Sequence, residues 1–388
     1  MTIMDATPNR ADTAAAALDD VDWIATARGV GLSVAAGVAE RDRTGELPRE
    51  IVDRLRSSHL TMMLVPTEFG GGGVTHATAG AVLRELGRHD GPTAVTLSMH
   101  THVVGQQLWR HRRGMSAEKI FRKVVDDRAV LCTTGASDWV GSSGSVRQVD
   151  GGYRVTARKT PVSGCEFADV LVTSFRFEGG ADGPQVIHCS LPMSAEGVRV
   201  DPTWNTLGMR ATGSHTVVLD DVFVPDAAVS LTRTADVWAP VWNVVLGTAM
   251  PLIMAAYLGV ADAAAAIAVE AGARRADGAT IQLVGELTNA HLSATDAIDA
   301  MFRDADDLRF DNVDTITARM LSRKTTATES MIDTVRLAAE VVGGGSFLRG
   351  SEMERLQRDI LGSRCHPLPR GKQLQLSGRV ALGLSPVG

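Results

Sequence analysis

Residues 204–225 read WNTLGMRATGSHTVVLDDVFVP. An aromatic residue, a Gly-Met-Arg turn, Ser214 and a strand closing on Val-Phe-Val-Pro follow one another in a fixed order. An isolated tryptophan is usually a core residue, and Trp204 alone would carry no more than that. The ordered set is harder to assign to packing. Two shorter stretches upstream share its texture. Residues 133–138, TTGASD, put small and hydroxyl side chains at a strand end, where backbone N–H groups can approach an anionic or polar ring edge. Residues 157–164, ARKTPVSG, run a lysine-bearing strand into Ser163 and Gly164. Each of these two by itself reads as an ordinary turn.

All three lie inside a run of short alternating or β-branched segments, such as GYRVTARK, DVLVTSFRF and QVIHCSLP, separated by Gly, Asp and Pro clusters. That pattern predicts a compact antiparallel β domain. On either side the period changes. Upstream, IVDRLRSSHLTMML and TAGAVLRELGRHD carry apolar residues at helical spacing, interrupted by the Pro/Gly loop VPTEFGGGGVTH. Downstream, three long helical stretches and a shorter one, SEMERLQRDILGS, predict a bundle. The class is therefore α+β. A helical domain is expected over 1–128, a β-barrel-like domain over 129–235 and a four-helix bundle over 236–388.

The 388 residues suffice for two or three domains. Hydrophobic residues make up 44% and charged residues 22%, with a net charge of −6 and no Lys/Arg-rich run. This argues against nucleic acid or an anionic membrane as partner. Cys132, Cys165, Cys189 and Cys365 are far apart in sequence and form no CxxC pair, so no metal site is expected and a reducing cytoplasm fits. The first 20 residues carry Asp5, Asp12, Asp19 and Asp20, which suits neither a signal nor a transit peptide, and read as a tail before the first helix. The apolar stretch 249–268 contains Asp262 and reads as a buried bundle helix rather than a membrane span.

Taken together, the three β-domain elements resemble the flavin-binding domain of the acyl-CoA dehydrogenase superfamily. VPTEFGGGG resembles that family's N-terminal loop, AYLGVADAAAAIAVEAGARR its long helix ending in a phosphate-binding arginine, and EVVGGGSFLRGSEMERLQRD its Gly-rich turn. The resemblance spans residues 20 to 385. It implies that Thr133, Thr134 and Ser137 line the flavin ring, that Ser163 bonds near N5 and that Trp204 packs close by. It also implies that Arg274 with the turn at Gly343 and Gly344 holds a diphosphate across a subunit interface, as expected of a homo-oligomer, tetramer or dimer. Two departures weaken the diphosphate end. Arg275-Ala276-Asp277-Gly278 stands where a Phe-Gly pair usually follows the arginine, and Glu340 replaces a glutamine, placing an acid beside the diphosphate. FAD is the cofactor the family implies, with FMN as the alternative.

A dehydrogenase of this family removes a proton with a glutamate. The usual position is here Pro367, the minority position is Arg275, and RDILGSRCHPLPRGK contains no glutamate. In this the chain resembles the superfamily's two-component (group D) flavin monooxygenases, which take reduced flavin from a separate reductase and use O2. His366, eight residues after Arg358, and Ser163 match that branch. An imidazole titrating near pH 7 suits proton delivery. His100 and His102, two apart on a helix, point away from one another, and His100 is favoured for the site. The reading is a monooxygenase acting on a small apolar or aromatic metabolite. A dehydrogenase with an unconventional base and an inactive flavin-binding homologue are the alternatives.

Overall fold

The computed structural model describes residue 18, residues 21–134 and residues 138–388. The tail read over 1–20, Leu18 apart, lies outside the described residues, as does Ser137. Helices come first: α1 (Trp23–Ala35), α2 (Val38–Thr44), α3 (Arg49–Ser57), α4 (His76–His89), α5 (Gly91–His111) and α6 (Glu118–Asp126). Asp90 separates α4 from α5 and caps the latter, accepting from the Thr93 N–H at 3.3 Å. Its other oxygen accepts from Arg41 at 2.7 Å, which ties α2 to the same junction.

The strands follow: β1 (Leu131–Thr133), β2 (Ser145–Val149), β3 (Gly152–Val162), β4 (Val170–Phe177), β5 (Gln185–Pro192), β6 (Val198–Asp201), β7 (His215–Pro225) and β8 (Val229–Thr234). They form two four-stranded sheets, ordered β1-β4-β5-β8 and β2-β3-β7-β6. Cys132, Phe175 and Leu191 from one sheet share a core with Val155, Val217 and Leu219 from the other. The expectation of a wholly antiparallel domain needs one correction: β1 pairs with β4 in parallel, Leu131 opposite Val170. A parallel pair needs a long crossover, and β2 and β3 of the second sheet supply it. Cys132, Cys165 and Cys189, distant in sequence, converge here as buried free thiols. Burial pushes Cys165 and Cys189 up to about 12. Among the described residues no cluster of side chains could hold a metal ion.

The chain then returns to helix with α7 (Val241–Ala273), α8 (Gly278–Ala305), α9 (Asp314–Val342), α10 (Glu352–Ile360) and α11 (Arg370–Ala381). α7 is the axis of the molecule. It packs on α4 and α5 on one side and on α8 and α9 on the other. It is long and apolar enough to cross a bilayer, but 72% of its most apolar window is buried inside the chain. The bundle therefore shares one continuous core with the N-terminal helices, running from Trp23 through Leu83 and Leu258 to Met331. This continuity leaves a cavity where α5, α7, the strand ends and the segment between α10 and α11 meet.

Candidate active site

The cavity has a volume of about 1360 Å³. One wall is a face of α5. Val95, Met99, His102, Val103 and Gln106 recur at three- and four-residue spacing and all line it. His102 donates from Nδ1 to the Ser98 carbonyl at 3.0 Å, one turn back, so its Nε2 carries a lone pair. His100 lies on another face. It donates from Nε2 to Thr61 O at 2.6 Å and accepts the Leu131 N–H on Nδ1 at 3.0 Å. Both nitrogens are spent, and His100 does not line the cavity. The structure thus corrects the choice between the two: His102 faces the site, and His100 pins the start of β1 to α5. Burial lowers both to about 4.

That pinning positions Thr133 and Thr134, which line the cavity at the end of β1. The Thr134 N–H donates to Val172 O at 3.2 Å, and its hydroxyl meets Thr173 Oγ1 at 3.1 Å. Ser163, at the end of β3, contributes a hydroxyl whose polarity can be worked out. Thr212 Oγ1 donates to Met209 O at 3.0 Å, which commits its proton. Ser214 then donates to Thr212 Oγ1 at 2.6 Å, and Ser163 donates to Ser214 Oγ at 2.8 Å. Ser163 therefore turns lone pairs toward the cavity.

Trp204 lines the same cavity, and its turn is fastened at several points. Its indole N–H donates to Met209 O at 3.0 Å and its backbone N–H to His215 Nδ1 at 3.1 Å. Gly208 lets the turn lie against α10, where a Cβ would collide with the Arg358 carbonyl. The Met209 N–H donates to Asp359 at 2.6 Å. Arg358 clamps Asp42 and Glu354 and donates to Leu207 O. Arg358 and Asp359 together bolt α10 to the turn carrying Trp204.

His366 reaches the cavity from the segment after α10, with Nε2 3.0 Å from the Tyr257 hydroxyl of α7. Burial, with Lys324 and His102 adding to it, pushes it down to about 3. Arg274, Gly343 and Gly344 are not brought to this site within the chain. Arg274 is two-thirds exposed and bound to Glu270 at 2.7 Å. The glycine turn lies at the end of α9, where the adjacent Arg275 donates to Val341 O.

Among the described residues the lining holds no glutamate, and Asp138 is its one carboxylate. Asp138 is buried and committed: Lys159 donates to it at 2.9 Å, and to Ser143 O and Ser174 O. The cations Arg110, Lys119, Lys123, Arg233 and Arg358 also line the cavity. A hydroxyl-bearing edge, a tryptophan, apolar helix faces and an excess of cations fit a flavin, whose ring is flat and apolar with polar edges and whose side chain carries phosphate.

Residues 26–125 match the model of the acyl-CoA dehydrogenase N-terminal domain family. The L-evernosamine nitrososynthase of a Micromonospora species is 30% identical over 364 residues, 86% of this chain and 83% of that protein. The chain belongs to the acyl-CoA dehydrogenase superfamily. Other relatives of this superfamily member include a putative acyl-CoA dehydrogenase of Bacillus subtilis, 27% identical over 85% of this chain and 88% of that one. A dibenzothiophene monooxygenase of Rhodococcus qingshengii is 30% identical over 53% of this chain and 51% of that one. Among solved structures, KijD3 in complex with FMN and a dTDP-linked amino sugar superposes with a TM-score of 0.85 at 26% identity, covering 96% of this chain and 94% of that one. This member of the superfamily is a flavin-dependent oxidoreductase. Tyr257 and the Thr212–Ser214 pair stand inside stretches that the sequence singles out, but their partners, His366 and Ser163, show only in contacts across the fold.

Proposed function

We propose that this chain is a monooxygenase that binds reduced FMN supplied by a separate reductase and transfers one atom of O2 to a small, largely apolar or aromatic substrate. The observation that carries the reading is the cavity's acid–base inventory: no uncommitted carboxylate, and three histidines, His102, His188 and His366, that burial keeps neutral. A dehydrogenase needs a carboxylate in reach of an α-proton, and the one acid in the wall is held by a buried lysine. FMN is favoured over FAD because Arg274 is bound to Glu270 and because KijD3 was solved with FMN.

When bound, reduced flavin supplies the two electrons that activate O2, so that one oxygen atom goes to substrate and the other leaves as water. Thr133, Thr134 and Trp204, which line the cavity, would hold the flavin ring. Ser163 offers an acceptor, the partner an N–H requires. His102 accepts a proton on Nε2 from the substrate, and the neutral His366 offers a hydrogen bond rather than its proton. The apolar faces of α5 and α7, including Val103, Val244, Met250 and Ile253, seat the substrate and exclude water. Nitrogen is a second acceptor for the transferred oxygen, a reading favoured by the similarity to a nitrososynthase across most of the chain. The chain works in the cytoplasm as a homo-oligomer, dimer or tetramer.

The test supplies photoreduced FMN to the purified protein with a panel of aromatic and amine substrates in air. The ratio of oxygenated product to H2O2 is then measured for wild type, His366→Ala and His102→Ala. Product that falls in favour of H2O2 in both variants is expected. Oxidation of acyl thioesters with an artificial acceptor, without any reductase, would sink the proposal.

A further inference from the structure

His366 is the one histidine in the cavity whose ring nitrogen meets a phenol, and that phenol has an unusual setting. Tyr257 is 2% exposed, embedded in the axial helix α7. Among the described residues its hydroxyl has a single hydrogen-bond partner, His366 Nε2 at 3.0 Å. The rings meet edge to face with centroids 5.3 Å apart, so the contact is held by packing as well as by the bond. Gly362 closes the other side, where a Cβ would lie 2.7 Å from the hydroxyl oxygen. Among the described residues no other acceptor is bonded to the phenol.

We propose that Tyr257 is a positioning residue that fixes His366 in the tautomer bearing hydrogen on Nδ1, so that the imidazole offers a donor to the cavity rather than a lone pair. Two arrangements of the pair exist. If His366 Nε2 carried the hydrogen and donated to the phenol oxygen, the buried phenol O–H would have no acceptor among the described residues. If Tyr257 donates to Nε2, only a spare lone pair on the phenol goes unused. A buried unsatisfied donor costs enough to favour the second arrangement by roughly 5- to 150-fold. The Nδ1 of His366 has no partner among the described residues and is not sealed in the protein. The imidazole stays neutral, since burial and the nearby Lys324 cation both oppose its charge. His102 shows the opposite pattern, with Nδ1–H given to Ser98 O and Nε2 left as acceptor. His366 thus offers the cavity an imidazole donor and His102 an imidazole acceptor, while His188, also in the lining, spends Nε2 on Arg233. The tautomer stands on this chain's own contacts; its use in oxygen transfer rests on the function proposed above.

The test is 15N NMR of the histidine-labelled protein at neutral pH, with His366→Asn to assign the signal and Tyr257→Phe as the probe. Wild type is expected to show His366 with Nδ1 protonated. Tyr257→Phe is expected to shift it toward the Nε2-protonated form, and in the same variant the H2O2-to-product ratio rises. An Nε2-protonated or doubly protonated His366 in wild type overturns the proposal, and needs no variant. So does an Nδ1-protonated signal that Tyr257→Phe leaves unchanged, because the tautomer then has another cause. A tautomer that behaves as stated in a protein that oxygenates nothing would remove the proposed function and leave this inference standing.

Discussion

Thr212→Val isolates the hydroxyl relay behind Ser163. Valine keeps the shape of the buried threonine and removes one hydroxyl. In wild type the proton order runs Ser163 to Ser214 to Thr212 to Met209 O, which leaves Ser163 as an acceptor at the cavity. Reduced flavin carries hydrogen on N5 and oxidised flavin a lone pair, so the wild-type relay matches the reduced form. With Thr212 gone, Ser214 has no acceptor beyond it and turns back to donate to Ser163, whose own proton is released toward the cavity. One matched hydrogen bond is worth about 0.5–1.5 kcal/mol net, a factor of roughly 2 to 12 in relative affinity. For a two-electron couple that is on the order of 10–30 mV, raising the preference for oxidised flavin. Anaerobic titration of wild type and variant with FMN and with photoreduced FMN, followed by tryptophan fluorescence, reads both constants. The expected result is a fall in the reduced-over-oxidised ratio by that factor at little change in fold stability. An unchanged ratio, or one that rises, refutes the assigned proton order.

Other perturbations test separate links. Lys159→Met leaves Asp138 buried without its cation, and the loss of one partner of a buried pair costs about 3–5 kcal/mol, readable as a large drop in the chemical-unfolding midpoint; an unchanged midpoint would show that the pair is not buried. Burial holds His76, His100 and His102 near 4, below the 6.5 of an unfolded histidine. Between those values the unfolded chain binds protons that the folded chain does not, so stability is fully present above about 6.5 and is lost as pH falls toward 4. Each such group contributes a slope of about 1.4 kcal/mol per pH unit, and a stability profile flat from pH 7 to 4.5 would contradict their burial. Arg274→Ala should leave FMN affinity within about twofold, since an exposed pair such as Arg274–Glu270 is worth little; a tenfold loss by equilibrium dialysis would place this arginine on the cofactor.

Much of this architecture is legible in the chain itself, for identifiable reasons. The order of helical, strand and helical periods reflects local side-chain alternation, which sequence carries directly. The Trp204 turn and the His366 position are legible because they sit at fixed distances from Arg358 and Ser214 in recognisable stretches. What sequence does not carry is which side of a helix meets the rest of the fold. His100 and His102 differ by two positions on α5, and only the docking of α5 on β1 decides that His100 is consumed by Leu131 and Thr61. The parallel β1–β4 pair, the Lys159–Asp138 contact and the Tyr257–His366 contact join residues 39, 21 and 109 positions apart, and no local pattern encodes them. The apolar length of α7 alone cannot distinguish lipid from the helices packed around it; Asp262 within the stretch is what marks it as a core helix.

In the proposed function this cavity handles reduced flavin and oxygen rather than an acyl substrate. This is tested most directly by mixing the protein, loaded without oxygen with photoreduced FMN, with aerated buffer and timing the release of H2O2 against that from free reduced FMN. Release clearly delayed by the protein is expected, with the delay shortened in His366→Ala. Release as fast as from free flavin, together with bleaching of bound oxidised flavin by acyl thioesters in the absence of oxygen, would contradict the proposed function.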